Sequence, residues 1–248
     1  MSLQSAERLG VVVPSGNAAA EPETAALVRP AMNVHTARFP VLPGRSLRER
    51  LDLYNERLDD VVAGFGGLAL DAVVVACSGS HYLLGPSGDR ALCEKLADAG
   101  GRPVASSTLA TVDTCADLGV TELVLVSPYE PWLTDLSRTF WERAGLTVSR
   151  VVPVRAGDRF SPYDVSTDDL LRQVGAAGIG PDEALLFTGT GMFTFDALRQ
   201  IGQGNDRVLL TSNICSARWA LKQTGLRADP AEETGLLRRL DALAGGTA

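Results

Sequence analysis

Asp71-Ala72-Val73-Val74-Val75-Ala76-Cys77-Ser78-Gly79-Ser80 is a continuous apolar run that ends at a thiol and passes at once into hydroxyls and glycine. A short run without polar alternation predicts a strand buried on both faces, as in a parallel sheet covered by helices. The Ser-Gly-Ser that follows predicts a turn into a helix, and ligands of open α/β sheets bind at that carboxyl end of the strands. Cys77 therefore stands where an acid, base or nucleophile is useful. The backbone N–H groups of the helix start would stabilise a carboxylate there and lower the thiol's pKa.

Runs of the same kind recur at residues 9–13, 123–126, 148–154, 184–187 and 208–210, all expected as buried parallel strands. Between them lie helical patterns. Ser46 and Glu49 have capping-box spacing ahead of Leu47, Leu51, Tyr54, Leu58, Val61 and Val62, which predicts one helix burying that face. A second helix is expected over 131–144, stopped by Gly145. Alternating β and α elements mean an α/β fold with parallel sheets.

The chain reads as a duplication. A strand followed by Pro14-Ser15-Gly16 precedes a strand followed by Cys77-Ser78-Gly79. At nearly the same spacing, a strand followed by Ser127-Pro128-Tyr129 precedes one followed by Gly189-Thr190-Gly191. Ser106-Ser107-Thr108 and Thr211-Ser212-Asn213 form a third echo, each opening a helical pattern. Two similar lobes follow, assigned as 1–107 with 212–248 and as 108–211. Facing strand ends would enclose a pocket lined by hydroxyls and backbone amides, suited to a small carboxylate or dicarboxylate.

Composition narrows the function classes. The 248 residues are 45% hydrophobic and carry a net charge of −7 without a basic stripe, which argues against nucleic acid and anionic membranes as partners. No apolar stretch approaches the roughly 20 residues that span a bilayer, and the first ten residues lack a signal-peptide pattern, so a cytoplasmic protein is expected. Cys77, Cys93, Cys115 and Cys215 have no Cys-x-x-Cys spacing, and only His35 and His81 accompany them, so no metal site is expected. A homo-oligomer is compatible with this composition.

Val12-Val-Pro-Ser-Gly-Asn17 with Glu21, Val75-Ala-Cys-Ser-Gly-Ser80, Val126-Ser-Pro-Tyr129, Phe187-Thr-Gly-Thr-Gly191 and Thr211-Ser-Asn213 leading to Trp219-Ala-Leu221 occur in that order. This succession resembles the maleate cis-trans isomerase and arylmalonate decarboxylase family of the aspartate/glutamate racemase superfamily, over about residues 8–226. The resemblance implies two Rossmann-like lobes related by a pseudo-two-fold axis, an active site between them and no cofactor. It also implies, for maleate isomerases, a cysteine at an equivalent strand end in each lobe. The first is Cys77; the second position falls on Gly189. Arylmalonate decarboxylases are similar with one cysteine, but in the second lobe, so the arrangement here is mirrored.

Cys77 is the candidate catalytic residue, with a packed structural cysteine as the plainer alternative. Cys93 and Cys115 fall in helical patterns as packing residues, while Cys215 follows Thr211-Ser212-Asn213 near the expected pocket. His81, one turn beyond Cys77, is a candidate to lower the thiol's pKa or replace the missing second acid. Ser15, Asn17, Ser78, Gly79, Tyr129, Thr190 and Gly191 are candidates for a cradle around substrate carboxylate oxygens. Otherwise they only shape turns. The loop at 155–164 is expected to set pocket volume.

With one thiol available, the favoured expectation is a cofactor-independent lyase that decarboxylates a small malonate-type or other dicarboxylate, with Cys77 protonating an enediolate-like intermediate. A maleate-type cis-trans isomerase using Cys77 as nucleophile is the alternative. A small-carboxylate binding protein without turnover is the third.

Overall fold

The computed structural model describes residues 4–228 and 235–245. The chain forms two four-stranded parallel sheets flanked by helices. The first contains β1 (Glu7–Val13), β2 (Met32–Arg38), β3 (Ala72–Val75) and β4 (Val104–Ser106) in the order β2-β1-β3-β4. The second contains β5 (Glu122–Ser127), β6 (Thr147–Pro153), β7 (Leu185–Phe187) and β8 (Leu209–Thr211) in the order β6-β5-β7-β8. The two orders are the same, so the sequence duplication is a duplication of sheet topology.

Register turns the echoed motifs into neighbours. Val12 pairs with Val75 and Val126 with Phe187, all in parallel. Continuing each pairing by two residues sets Pro14 beside Cys77 and Pro128 beside Gly189. The central strands β3 and β7 are wholly buried, as continuous apolar runs require. Residues 148–154 differ from their expected burial. β6 pairs only with β5, and as an edge strand it buries just Val148 and Val152. β4 was not legible because Val104-Ala105-Ser106 makes no run of large apolar residues, unlike the equally short β7 and β8.

The helices are α1 (Ala20–Val28), α2 (Leu47–Glu56), α3 (Leu58–Ala63), α4 (Ser78–Gly100), α5 (Ser107–Asp117), α6 (Pro131–Arg143), α7 (Thr167–Ala176), α8 (Phe195–Ile201), α9 (Ser212–Gln223) and α10 (Gly235–Gly245). The capping box forms: Ser46 N–H donates to Glu49 Oε2 at 2.8 Å and Glu49 N–H to Ser46 Oγ at 3.3 Å. The single helix expected beyond it is two, because Arg57 leaves helical geometry (φ −101°, ψ 5°) between α2 and α3. The expected α6 ends at Arg143, with Gly145 just beyond at φ +93°. α9 packs against α1 and α5. Of the lobe assigned to 1–107 with 212–248, residues 1–3, 229–234 and 246–248 lie outside the described residues. Among the described residues no helix is long and apolar enough to cross a membrane.

The lobes meet through α4 and α6. Tyr82 packs edge-on against Phe140 and Trp141, with ring centroids 5.4 and 5.8 Å away. Its hydroxyl bonds Thr188 Oγ1 at the end of β7. Ser78 Oγ lies 2.9 Å from Ser107 Oγ and 3.3 Å from Ser212 Oγ, so the first turns of α4, α5 and α9 converge.

α4 is kinked. Gly85 has φ +66° and ψ 171°, a conformation open to glycine, and Pro86 restarts the helix. Beyond the kink, Asp89 Oδ1 accepts from His81 Nδ1 at 2.7 Å. Its Oδ2 accepts from Ser106 Oγ at 2.8 Å and Thr108 Oγ1 at 2.5 Å. Cys93 Sγ is 3.6 Å from Oδ1. All five residues are buried, so Asp89 ties both halves of α4 to β4 and α5. Asp89→Ala leaves His81 Nδ1 and at least one of the Ser106 and Thr108 hydroxyls, which lie 2.8 Å apart and can bond each other, without an acceptor, each costing about 1–3 kcal/mol. A urea melt should lose at least about 2 kcal/mol, with Asp89→Asn losing less. A midpoint unchanged in the alanine variant would show the cluster carries no stability.

Candidate active site

The segments after β1, β5 and β7, the 155–164 loop, α2 and the starts of α4 and α6 enclose a cavity of about 230 Å³ at the strand ends. Cys77 lies on its wall, 4% exposed, as the residue between β3 and α4. Ser78 and Gly79 of α4, Asn17, Tyr129, Thr190 and Gly191 line the same space. Most of the sequence-derived candidates are thus brought together. Ser15 is not on that wall; it lies beside Tyr54, which is.

The thiol differs from expectation in one respect. A position at the start of α4 was expected to lower its pKa, and hydrogen bonding from Ser80 acts in that direction. Burial is the larger effect and pushes Cys77 up from its ordinary value. The side chain is therefore a neutral thiol at pH 7.

His81 is directed elsewhere. It is fully buried, does not line the cavity, and its Nδ1 is held by Asp89. The expectation that it would stand beside the thiol fails because the kink at Gly85 brings Asp89 within its reach. The ligating atoms of His81, Asp89 and Cys93 lie within 4.8 Å of one another, but the aspartate oxygens are already engaged by hydrogen bonds. Cys93 and Cys115 are buried and raised above the ordinary thiol range. Burial pushes Cys215 up to about 11, and it is absent from the cavity wall.

The second-lobe position equivalent to Cys77, just beyond β7, holds Gly189 at φ +93°. A Cβ built there collides with the Tyr129 hydroxyl and comes within 2.9 Å of Tyr129 Cζ. The tyrosine thus occupies the volume a side chain at 189 would need. Loss of solvent around its hydroxyl raises the Tyr129 pKa well above its ordinary value, with the nearby Tyr82 and Cys77 adding to the effect. It is a phenol donor, not a base.

Asn17 is a positioning group. Its Oδ1 accepts from the N–H groups of Ala19 and Ala20 at 2.9 and 3.0 Å, and its Nδ2 donates to Thr190 O and Oγ1 at 3.2 and 3.0 Å. Thr190 Oγ1 in turn donates to Ala76 O at 2.9 Å. Arg38 holds the loop before Asn17 through the carbonyls of Pro14, Ser15 and Asn17 and through Glu21 Oε2 at 2.6 Å.

The sequence reading missed four contributors. Glu23, buried in α1, accepts from Thr194 N–H at 2.6 Å and Asn213 Nδ2 at 2.8 Å, and so anchors the loop after Gly191. Tyr163 reaches from the 155–164 loop across Gly191, where a Cβ would meet its ring, toward Gly16 of the other lobe. Arg50 and Tyr54 line the cavity from α2. Only the acidic Glu23 beside the Asn17 motif offered a signal.

No protein-family model matches the chain. A maleate isomerase from Geobacillus stearothermophilus is 24% identical over 180 residues, covering 67% of this chain and 70% of that protein. The crystal structure of the maleate isomerase Iso from Pseudomonas putida S16 superposes with a TM-score of 0.83 at 18% identity, covering 94% of this chain and 98% of that one. A Nocardia farcinica maleate cis-trans isomerase with a cysteine replaced by serine, bearing a covalently bound succinylcysteine intermediate, gives 0.75 at 22% identity, covering 90% and 94%. An arylmalonate decarboxylase variant in which a glycine became cysteine and a cysteine became serine gives 0.70 at 20% identity, covering 90% and 96%. The chain has the two-lobed fold of these proteins, and the motif resemblance points to the same two kinds of enzyme that the comparisons name.

A cysteine at 189 would need both a backbone conformation costly for non-glycine residues and displacement of Tyr129. Gly189→Cys should lower stability by about 1–3 kcal/mol from the backbone strain alone. Thermal or urea unfolding checks this. Unchanged stability would mean that the second lobe has room for a thiol.

Proposed function

We propose that this chain is a cofactor-independent decarboxylase of a small malonate-type acid, in which Cys77 protonates an enediolate held between the lobes. One observation carries the reading. The cavity presents a single thiol, held neutral by burial, and the equivalent strand end of the second lobe carries a glycine whose side-chain volume is filled by the Tyr129 phenol, which lines the cavity. One-sided proton delivery needs no more than that.

In this reading the retained carboxylate lies against the N–H groups at the start of α4 and of the Thr190–Gly191 loop, with the Tyr129 hydroxyl as a further donor. Such donors act most strongly on charge that builds in the transition state. The Ser78 hydroxyl is already bonded to Ser107 and Ser212, so its contribution is the backbone N–H. The leaving carboxylate faces apolar wall such as Leu51, Pro128 and Leu133, which does not solvate its charge. Its C–C bond breaks, carbon dioxide departs, and the electron pair enters the enediolate. Cys77 then passes its proton to that carbon, and the thiolate is reprotonated from water.

The second reading is a maleate-type isomerase. The curated relative and the succinylcysteine-bearing structure favour it, since a thiol adding to an alkene would yield such an adduct. It requires Cys77 as thiolate, against the direction in which burial moves its pKa.

The two readings differ in pH dependence. A general acid whose pKa is raised stays protonated across neutrality, so kcat/KM should be level across neutrality and fall only as pH approaches the thiol's raised pKa. A nucleophile would instead gain activity as pH rises toward that pKa. Cys77→Ala should abolish turnover with the fold intact, and product formed in heavy water should carry deuterium on one face. Tyr129→Phe should cost about 10² to 10³ in rate. A rising pH limb with maleate converted to fumarate and no carbon dioxide released would replace the decarboxylase reading with the isomerase.

A further inference from the structure

Arg50 is the cationic side chain on the cavity wall, and the chemistry above does not use it. It lies on α2 in the series Leu47, Arg50, Leu51 and Tyr54, the helix face turned to the cavity. The arginines in and just before that helix are neutralised locally: Arg45 pairs with Glu49 and Arg48 with Asp52, each four residues on. Arg50 has Tyr54 at that spacing. Among the described residues no carboxylate lies within ion-pair distance of it, and its Nε–H is buried without an acceptor. Glu130, the carboxylate on the cavity wall, instead accepts from Trp132 Nε1 at 3.1 Å. The guanidinium charge reaches the phenols of Tyr54 and Tyr163, placing it among the rings that close the cavity.

A half-buried guanidinium without a counter-ion, in an otherwise largely apolar wall, is a site for an anion brought by the ligand. That anion is not the leaving carboxylate. A cation paired with it would stabilise the ground state and oppose loss of carbon dioxide. Nor is it the retained one, which the backbone N–H groups and Tyr129 serve. We propose that Arg50 anchors a further acidic group at the end of the substrate's substituent, so that the compound decarboxylated is a malonate bearing a carboxyalkyl chain. This rests on the carboxylate-binding reading of the cavity. The product is then a short diacid, and Arg50 fixes which face of the prochiral carbon meets Cys77.

Such products do not react further, so they test the anchor without turnover. Calorimetric titration of the wild-type protein should show glutarate and succinate binding about 10- to 100-fold more tightly than pentanoate and butyrate, the range expected for charge-assisted bonds to a guanidinium. In Arg50→Gln that preference should fall to within about twofold, with monoacid affinity unchanged, and Arg50→Lys should regain part of it. Retained preference in Arg50→Gln, or none in the wild type, overturns the role of Arg50 alone. Failure of every acid to bind the wild type overturns the carboxylate-binding reading, and the anchor with it.

Discussion

Everything at the cavity depends on how buried polar groups are satisfied across the seam between two sheets. The carboxyl ends of β3 and β7 face one another, so carbonyls and hydroxyls that would meet water in a lone lobe are shut away. An unpaired group there costs about 1–3 kcal/mol, more than a typical hydrogen bond returns. The structure resolves this by crossing: Thr190 of the second lobe bonds Ala76 of the first, Asn17 of the first bonds Thr190, and Glu23 holds Thr194 and Asn213. The same bonds that satisfy the seam fix the Thr190–Gly191 loop against Cys77. Positioning at the site is therefore a by-product of folding the lobes together.

Glu23 shows how finely this is balanced. Burial raises its pKa, while the bonds from Asn213, Thr194 and Phe195 draw it down. As an acid with a raised folded pKa, it favours the folded state most where it is protonated in both states. That contribution is lost as pH rises through its unfolded pKa toward its folded one. The cross-lobe donors limit the loss by stabilising the carboxylate.

The sheets and the motif-bearing strand ends were legible because continuous apolar runs and the residues just after them are local signals. Cys77, Tyr129 and the Thr190–Gly191 segment could be named for that reason. His81 could not be placed: its partner is eight residues away beyond a break at Gly85, and no helical spacing predicts that pair. α2 was half legible. Leu51 and Tyr54 are buried in the core as their spacing predicts, with Leu51 against Gly79 of α4 and Tyr54 stacked on Phe39. The same face also forms cavity wall, where Leu47 is 39% exposed, and a cavity wall has the same periodicity. Arg50 on such a face looks like a solvated charge until the opposite wall is known. Tyr163 lies on a loop, where periodicity says nothing.

The asymmetry between the lobes then acquires a physical meaning. A duplicated fold presents two equivalent strand ends, and equivalent thiols there would give chemistry on both faces of a bound carbon. Here one strand end keeps a buried thiol and the other has a positive-φ glycine overlaid by Tyr129. Tyr129 fills the space beside the second strand end, and burial keeps its phenol protonated near neutrality. In the proposed reaction one lobe supplies the proton and the other stabilises the anion it neutralises. In that same proposal, orientation of the substrate between them falls to Arg50 on the α2 wall of the cavity.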